Sequence, residues 1–317
     1  MTRRGRVTLA ALALIAGLVA VLAAPAGALV VGIGDQKPDM FSDPLFQSLG
    51  IRYARLAVSW DVLQHDDQRA ALDRWLDDAR AAGVEPLVSF GHAAGDRRRV
   101  LPTPSRFKYE FRQVRARYPW VTTFATWNEA NHCGEPTCHR PALVAAYYKA
   151  MRRECPRCTL LAAEVLDMPN MASWVDAFRR ALGFEPRFWG LHNYLDANRM
   201  RTSGTRTLLR HTTGKIWFTE TGGIVKRRTK VKVTFPESAA HAATATRWVF
   251  DQLVPLSRRI TRVYLYHWNA AAGLQTWDSG LVDAEGHARP ALRVVRAEML
   301  RAQQRERRRI LARVSPG

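Results

Sequence analysis

Two runs of the sequence each read as a buried strand that ends in a glutamate: Val121-Thr-Thr-Phe-Ala-Thr-Trp-Asn128-Glu129-Ala-Asn131 and Lys215-Ile-Trp-Phe-Thr-Glu220-Thr-Gly-Gly223. A carboxylate at the end of an apolar strand is poorly placed for stability, because burying a charge is costly. It is well placed for chemistry if the strands line a barrel whose open end holds a substrate. The fold therefore depends on whether the other strands of such a barrel are present.

Eight strand-like runs alternate with segments of helical spacing. Most of these runs are too continuously apolar for a one-sided sheet, which is typical of parallel strands covered on both faces. They are Leu29–Asp35, Tyr53–Trp60, Glu85–His92, Thr122–Asn128, Leu160–Leu166, Phe188–Tyr194, Lys215–Thr219 and Arg262–Trp268. The helical pattern is weakest in the sixth interval, from Arg199 to Gly214.

Eight alternations of strand and helix over about 265 residues match the size of a TIM barrel. The sequence thus predicts an α/β fold, a single-domain (β/α)8 TIM barrel. An open doubly wound sheet is the alternative, but that fold usually carries a glycine-rich phosphate loop after its first strand. Here Gly32-Ile33-Gly34-Asp35 lacks the third glycine.

The chain begins with a segment typical of a secretory signal peptide, residues 1–28. Arg3, Arg4 and Arg6 precede an uncharged apolar run, and Ala26-Gly27-Ala28 fits a small-residue cleavage site. An uncleaved membrane anchor is the alternative, because the apolar run approaches spanning length. We expect the barrel domain over residues 29–300 and a basic tail over residues 301–317. The predicted location is secreted or in the cell envelope.

The formal net charge is +20, and it becomes +17 once the three arginines of the signal segment are removed. Such an excess favours anionic partners, which outside the cell are wall polymers, acidic polysaccharides or lipid headgroups. The alternative is that the charge reflects only an arginine-rich composition. The basic tail could bind an anionic cell-wall polymer or a membrane surface.

No nucleic-acid-binding motif is present, so no nucleic-acid partner is expected. We also expect the protein to be a monomer.

The chain has four cysteines, Cys133, Cys138, Cys155 and Cys158. In an exported chain an even count suggests two disulfides. A predicted helix from Pro141 to about Glu154 would hold the two pairs roughly 20 Å apart, whereas bridged cysteines need Cα atoms within about 7 Å. We therefore predict the pairs Cys133–Cys138 and Cys155–Cys158. A zinc site is the alternative, which export disfavours; its ligands would be Cys133, Cys138, His132 and His139.

The two glutamates suit the cleavage of glycosides, in which one carboxyl group protonates the leaving oxygen and the other attacks the sugar. Trp127-Asn128-Glu129 after a fourth strand, with Glu220 after a seventh, resembles the large clan of retaining glycoside hydrolases with TIM barrels, including families 5 and 39. The resemblance implies that Glu129 is the general acid/base and Glu220 the nucleophile. It also implies that Asn128 binds the 2-hydroxyl of the sugar.

Other positions resemble the same clan strand by strand. The resemblance implies that Arg55 holds the nucleophile ionised, and that Tyr194, in His192-Asn193-Tyr194, donates a hydrogen bond to it. His92 ends the third strand where a sugar hydroxyl is often bound. Trp268 ends the eighth strand and resembles the tryptophan platform under the reacting sugar. Each has a plain structural alternative: a buried ion pair for Arg55, and ordinary core packing for His92, His192 and Trp268.

The predicted function is an exported retaining glycoside hydrolase that cleaves a poly- or oligosaccharide by double displacement. Glu129 would need a raised pKa, which burial beside Trp127 could supply. One alternative is a non-catalytic barrel that binds cell-wall or other glycans, and another is a transglycosylase that uses the same glutamates. The mechanism requires no metal and no organic cofactor, and a carbohydrate is the expected partner.

Overall fold

The computed structural model of the protein describes residues 29–228, 234–270 and 277–314. Eight parallel strands close into a barrel in the order of the sequence, and the last strand pairs with the first. The strands are β1 (Val30–Gly34), β2 (Tyr53–Ser59), β3 (Glu85–Gly91), β4 (Thr123–Ala125), β5 (Thr159–Leu166), β6 (Phe188–His192), β7 (Lys215–Thr221) and β8 (Ile260–Tyr266). The predicted TIM barrel is confirmed. The predicted signal peptide lies outside the described residues.

Helices surround the barrel between the strands. They are α1 (Pro44–Leu49), α2 (Asp66–Ala81), α3 (Pro104–Arg117), α4 (Pro141–Glu154), α5 (Met171–Leu182), α6 (Tyr194–Asn198), α7 (Ser203–His211), α8 (Ala239–Trp248) and α9 (Pro290–Val314). Local signals set their ends: Thr103 caps α3 by accepting the amide of Arg106, and Gly183 ends α5 in the left-handed region at φ 82°. The sixth interval, from Arg199 to Gly214, holds one short helix, α7, of nine residues, which explains its weak pattern.

The barrel interior has an apolar lower layer and a charged upper layer. The lower layer consists of Leu87, Ala125, Leu161, Trp217 and Tyr264. Side chains alternate along a strand, so Ser89, two residues beyond Leu87, also faces the interior. The upper layer adds Arg55, Glu164, His192 and Glu220, all buried. Charged groups thus lie at the carboxyl ends of the strands, where TIM barrels have their active sites.

Two register shifts in the strand pairing direct the side chains of Glu164 and Glu220 into this upper layer. Glu164 lies three residues beyond Leu161, and the pairing of β5 with β6 shifts by one residue between them. On β7 the pairing shifts between Phe218 and Glu220. An extra residue reverses the alternation of a strand and re-aims its side chains. Gly190 leaves room for the result, because a Cβ there would lie 2.6 Å from Cγ of Glu164.

Both predicted disulfides are confirmed, with Cα–Cα distances of 4.8 Å for Cys133–Cys138 and 5.3 Å for Cys155–Cys158. The bonded sulfurs leave no thiolate for the alternative zinc site. The first bridge lies in the β4–α4 loop, which carries Glu129, whereas the second joins α4 to β5 at the opposite end of the barrel.

The C-terminal helix α9 passes the predicted boundary at residue 300 without a break. The predicted basic tail therefore continues the last barrel helix as far as Val314. In the parts of the chain that the structure describes, every helix is too short or too polar to cross a bilayer.

Candidate active site

A cavity of about 600 Å³ opens at the carboxyl ends of the barrel strands. This volume falls within the range of about 300–1,000 Å³ that is typical of small-molecule sites. Its lining includes four predicted site residues, Asn128, Glu129, Tyr194 and Glu220. The carboxyl ends of the strands are also where TIM-barrel enzymes bind their substrates.

The two predicted catalytic glutamates lie next to each other across a buried histidine. One carboxylate oxygen of Glu129, one of Glu220 and a ring nitrogen of His192 all lie within 4.8 Å of one another. Nδ1 of His192 is 3.2 Å from Oε1 of Glu129 and 3.7 Å from Oε2 of Glu220. The side chain of Glu129 is 24% exposed and that of Glu220 11%, so Glu129 is the more accessible of the two.

Arg55 organises the buried side of the site. Its Nη1 donates to Oε1 of Glu220 at 2.6 Å, and its Nη2 donates to Oδ1 of Asn128 at 2.7 Å. Two nitrogens of the guanidinium also donate to Glu164, at 2.7 and 2.5 Å. Burial opposes the charge of Arg55, but the carboxylates of Glu164 and Glu220 outweigh it and raise the pKa of the guanidinium. The guanidinium of Arg55 therefore stays positively charged.

Glu220 is held on both oxygens. Arg55 contacts Oε1, and the hydroxyl of Tyr194 donates to Oε2 at 3.1 Å. These are the contacts that the resemblance implied for Arg55 and Tyr194. Burial and the neighbouring Glu220 raise the pKa of Tyr194 well above its ordinary value, so the phenol keeps its proton and acts as a donor.

Glu129 adopts a strained backbone conformation, with φ at 48°. A non-glycine residue in the left-handed region costs about 1–3 kcal/mol and persists only where its surroundings impose it. Here the neighbouring Asn131 supplies the restraint, because its side chain bonds the amide and the carbonyl oxygen of Leu166 at the end of β5. The β4–α4 loop is thereby fixed with the carboxylate of Glu129 at the cavity.

The expected raised pKa of Glu129 is not found. Burial alone would raise it, but the hydrogen bond from His192 and the charges of His192 and His132 outweigh burial and lower the pKa of Glu129. Burial alone would lower the pKa of His192. The charge of Glu220 and the hydrogen bond with Glu129 outweigh burial, so the pKa of His192 is raised. The indole nitrogen of Trp127 donates to Glu135 at 3.2 Å.

His92 lies outside the residues that line the cavity. Its Nδ1 is 2.8 Å from Oε1 of Glu135, and its side chain is 36% exposed. Glu135 thus joins His92 to Trp127 at the edge of the site. The contact of His92 with a sugar hydroxyl stays a prediction.

The predicted sugar platform at Trp268 is wrong. Strand β8 ends at Tyr266, and the chain then turns so that Trp268 is fully buried, with Nε1 donating to Asp43 at 2.8 Å and the ring packed edge-on against Phe46. A buried ring cannot stack on a sugar. The aromatic residues that do line the cavity are Tyr266, Trp277 and Phe235.

The sequence reasoning missed two buried acids. Glu164 is fully buried and holds Arg55, and its only signal was a single acid within the apolar run Leu160–Leu166. Asp167 lines the cavity and accepts the amides of Leu195 and Asp196 at the start of α6. Burial raises the pKa of Asp167 to about 7, although the backbone hydrogen bonds oppose the shift.

No protein-family model and no curated protein matches this sequence. Solved structures match it in fold. A family 39 glycoside hydrolase from Bacteroides cellulosilyticus WH2 superposes with a TM-score of 0.55 at 14% identity, covering 86% of this chain and 63% of its own. GH5_18 from Streptomyces cattleya, solved with GlcNAc, gives 0.61 at 16%, covering 87% and 80%.

A GH128 endo-β-1,3-glucanase from Amycolatopsis mediterranei, in complex with laminarihexaose, gives a TM-score of 0.57 at 14% identity. The superposition covers 85% of this chain and 99% of the glucanase chain. Sequence identities of this size establish the architecture alone. The protein therefore shares the parallel eight-stranded barrel of these glycoside hydrolases.

Proposed function

We propose that the protein is an exported retaining glycoside hydrolase that cleaves a poly- or oligosaccharide by double displacement. The observation that carries the proposal is the spacing of Glu129 and Glu220, whose nearest side-chain oxygens fall within 4.8 Å. Retaining enzymes hold their carboxyl groups about 5–5.5 Å apart, whereas inverting enzymes need about 6.5–9.5 Å to admit a water molecule. The short spacing supports direct attack by a carboxylate.

In the first step Glu220 is the nucleophile. Arg55 and Tyr194 orient its two oxygens. One of these oxygens forms a bond to the anomeric carbon as the bond from that carbon to the leaving oxygen breaks. Glu129 gives a proton to the leaving oxygen, which departs as a neutral hydroxyl.

The proton for this step comes from the pair formed by Glu129 and His192. The carboxylates of Glu220 and Glu129 raise the pKa of His192, and the hydrogen bond from His192 lowers the pKa of Glu129, across a distance of 3.2 Å. His192 is fully buried, whereas Glu129 reaches the cavity. Glu129 is therefore the group that contacts the leaving oxygen, and His192 is a positioning residue that holds the carboxyl group of Glu129.

In the second step Glu129 accepts a proton from a water molecule. That water attacks the anomeric carbon, and the ester bond to Glu220 breaks with its electron pair returning to the carboxylate. Two inversions give retained configuration. If a sugar hydroxyl replaces the water, the same residues perform transglycosylation.

Export is supported by the pairing of all four cysteines, because disulfides persist in oxidising compartments outside the cytosol. The basic helix α9 supports contact with an anionic wall polymer or membrane surface.

A screen of the purified protein against polysaccharides and aryl glycosides tests the proposal, with Glu220→Gln as the control. We expect cleavage by the wild type and none by the variant, and NMR should detect the first-formed product with retained anomeric configuration. Inverted product would refute double displacement. Tight glycan binding without turnover would favour the non-catalytic barrel, and transfer products would favour the transglycosylase.

A further inference from the structure

Two arginines line the cavity in addition to the groups used in catalysis. Arg199 follows α6, and Arg227 belongs to the short strand Lys226–Arg227. Both side chains are exposed, and in the described parts of the chain neither guanidinium forms an ion pair with a carboxylate. The carboxylate of Glu237 accepts the backbone amide of Arg227. Other arginines at this end of the barrel do have acidic partners, as Arg98 has with Glu135 and Arg289 has with Asp278.

Arg227 lies close to the reacting centre. Its guanidinium is 5.3 Å from the ring centroid of Trp277, and that ring packs edge-on against Tyr194 at 4.8 Å. The hydroxyl of Tyr194 in turn contacts Glu220. Two aromatic rings thus connect the guanidinium to the nucleophile, and Arg227 and Glu220 line the same cavity.

The backbone that carries Arg227 is anchored. Arg227 pairs with Trp277 in a two-stranded antiparallel ribbon, whose other pair is Lys226 with Asp278. Arg289 donates to both oxygens of Asp278, at 2.6 and 2.9 Å. A side chain on a fixed backbone loses less freedom when it binds a ligand. The fixed backbone of Arg227 therefore suits a residue that binds a ligand.

The acids that line the cavity do not neutralise these arginines. Glu129 and Glu220 contact His192 and Arg55, and Asp167 accepts backbone amides. A guanidinium binds a planar carboxylate through two parallel hydrogen bonds. The overall positive charge, +17 without the three arginines of the signal segment, would also attract a polyanion to the protein. A neutral glycan would use neither feature.

We propose that the cleft takes an acidic glycan, a polysaccharide that contains uronic acid residues, and that Arg199 and Arg227 bind its carboxylates. This inference rests on the proposed glycosidase function and specifies its substrate class. Sulfated glycans offer a related anionic chemistry, because two oxygens of a sulfate group also accept hydrogen bonds from a guanidinium. A sulfated polymer is therefore included in the test to separate the two classes.

The test compares one uronic acid polysaccharide with its carboxyl-reduced form, which keeps the linkages and removes the charge. We expect kcat/KM to be at least about tenfold higher for the acidic polymer, as loss of a charged hydrogen bond implies. In Arg227→Gln and Arg199→Gln this ratio should fall towards one. Arg153→Gln removes one exposed charge near the lower end of α4 and should keep the ratio.

The outcomes separate this inference from the proposed function. If the reduced polymer or a sulfated polymer is cleaved better than the acidic one, the substrate class is wrong and the glycosidase stands. If no polymer and no aryl glycoside is cleaved, the glycosidase is wrong. Calorimetric binding of both polymers to Glu220→Gln then still decides the inference, because equal affinity for both overturns it.

Discussion

Glu164 accepts hydrogen bonds from Nε and Nη2 of Arg55, at 2.7 and 2.5 Å, within the barrel. The hydroxyl of Ser89 donates to the same carboxylate at 3.0 Å. Glu164 is fully buried and does not line the cavity, so it acts on the substrate through its neighbours. These are Arg55, which it holds by two hydrogen bonds, and His192, whose Nε2 lies 3.9 Å away. Its two bonds set the direction in which Nη1 of Arg55 meets Glu220.

Glu164→Gln should lower kcat on the order of a hundredfold, since a small misplacement of a catalytic group costs about that much. The variant keeps the shape of the side chain but replaces one acceptor by an amide nitrogen, which cannot accept from Arg55. KM should change little because no contact with substrate is lost. Steady-state kinetics with an aryl glycoside measures both constants.

Glu85→Gln is the matched control, because Glu85 is an exposed acid at the start of β3 and lies far from the cavity. Its kinetics should match the wild type. An unchanged kcat in Glu164→Gln would mean that Arg55 needs no support from Glu164. Circular dichroism must first show that both variants are folded.

The sequence predicted the parts of the site that depend on strand ends. Glu129, Glu220 and Arg55 each belong to an apolar run that could be recognised, and parallel strands in a barrel bring such positions together. Glu164 was not predicted, because a single acid within the apolar run Leu160–Leu166 does not show which way its side chain faces. An added residue in β5 turns it inward, and a pattern of strict alternation does not reveal such a bulge.

A pattern of strict alternation also explains why Trp268 was wrongly predicted to form a sugar platform. Tyr266 and Trp268 are two residues apart and would face the same side of a continued strand. Strand β8 ends at Tyr266, so the second ring follows the loop into the core instead. The prediction of a raised pKa for Glu129 failed for a different reason. That pKa depends on the contact with His192, which is distant in the sequence, so no local pattern contains it.

The double substitution Cys133→Ser with Cys138→Ser should reduce both stability and activity. Opening so small a ring costs about 2 kcal/mol in the chain-entropy estimate. The bridge lies four residues beyond Glu129, in the loop that holds this residue at φ 48°. Turnover should therefore fall with the thermal midpoint. Calorimetry and kinetics of the same samples measure the two effects.

Cys155→Ser with Cys158→Ser provides the comparison. This bridge closes a ring of similar size at the opposite end of the barrel, so the loss of stability should again be about 2 kcal/mol. Turnover should be unaffected at temperatures where the protein is folded. Equal losses of turnover in both variants would show that the first bridge has no special role at the site.

Asp278→Asn should reduce stability at neutral pH and have little effect in acid. Burial would raise the pKa of Asp278, but the hydrogen bond and charge of Arg289 outweigh it and hold the pKa below its ordinary value of 3.8. A lowered pKa stabilises the folded state above the ordinary value, and this stabilisation is lost as pH falls through the folded pKa. Urea unfolding between pH 3 and 8 should thus give wild-type and variant curves that begin to converge as the pH falls below about 4.

Asp77→Asn is the matched control, because it removes an exposed carboxylate of α2 that forms no ion pair in the described residues. If Asp278→Asn destabilises the protein equally at every pH, the ion pair with Arg289 is not the cause. Because Asp278 anchors the ribbon that carries Arg227 and Trp277, the variant should also have a raised KM for the acidic polymer.

The last prediction separates the roles of the two catalytic glutamates. With an aryl glycoside whose phenol has a low pKa, the first step needs little acid help, so Glu129→Ala should still form the glycosyl ester on Glu220. The second step then stalls, because the same residue activates the water. Azide needs no base, so it should restore turnover and give a glycosyl azide of retained configuration.

Glu220→Ala behaves differently because it removes the nucleophile that Arg55 and Tyr194 hold. Azide can occupy the vacated space and attack the anomeric carbon directly, which is one displacement and gives inverted product. Proton NMR of the anomeric signal distinguishes the two azides. Retention with Glu129→Ala and inversion with Glu220→Ala would agree with the assigned roles, and the opposite pattern would exchange them.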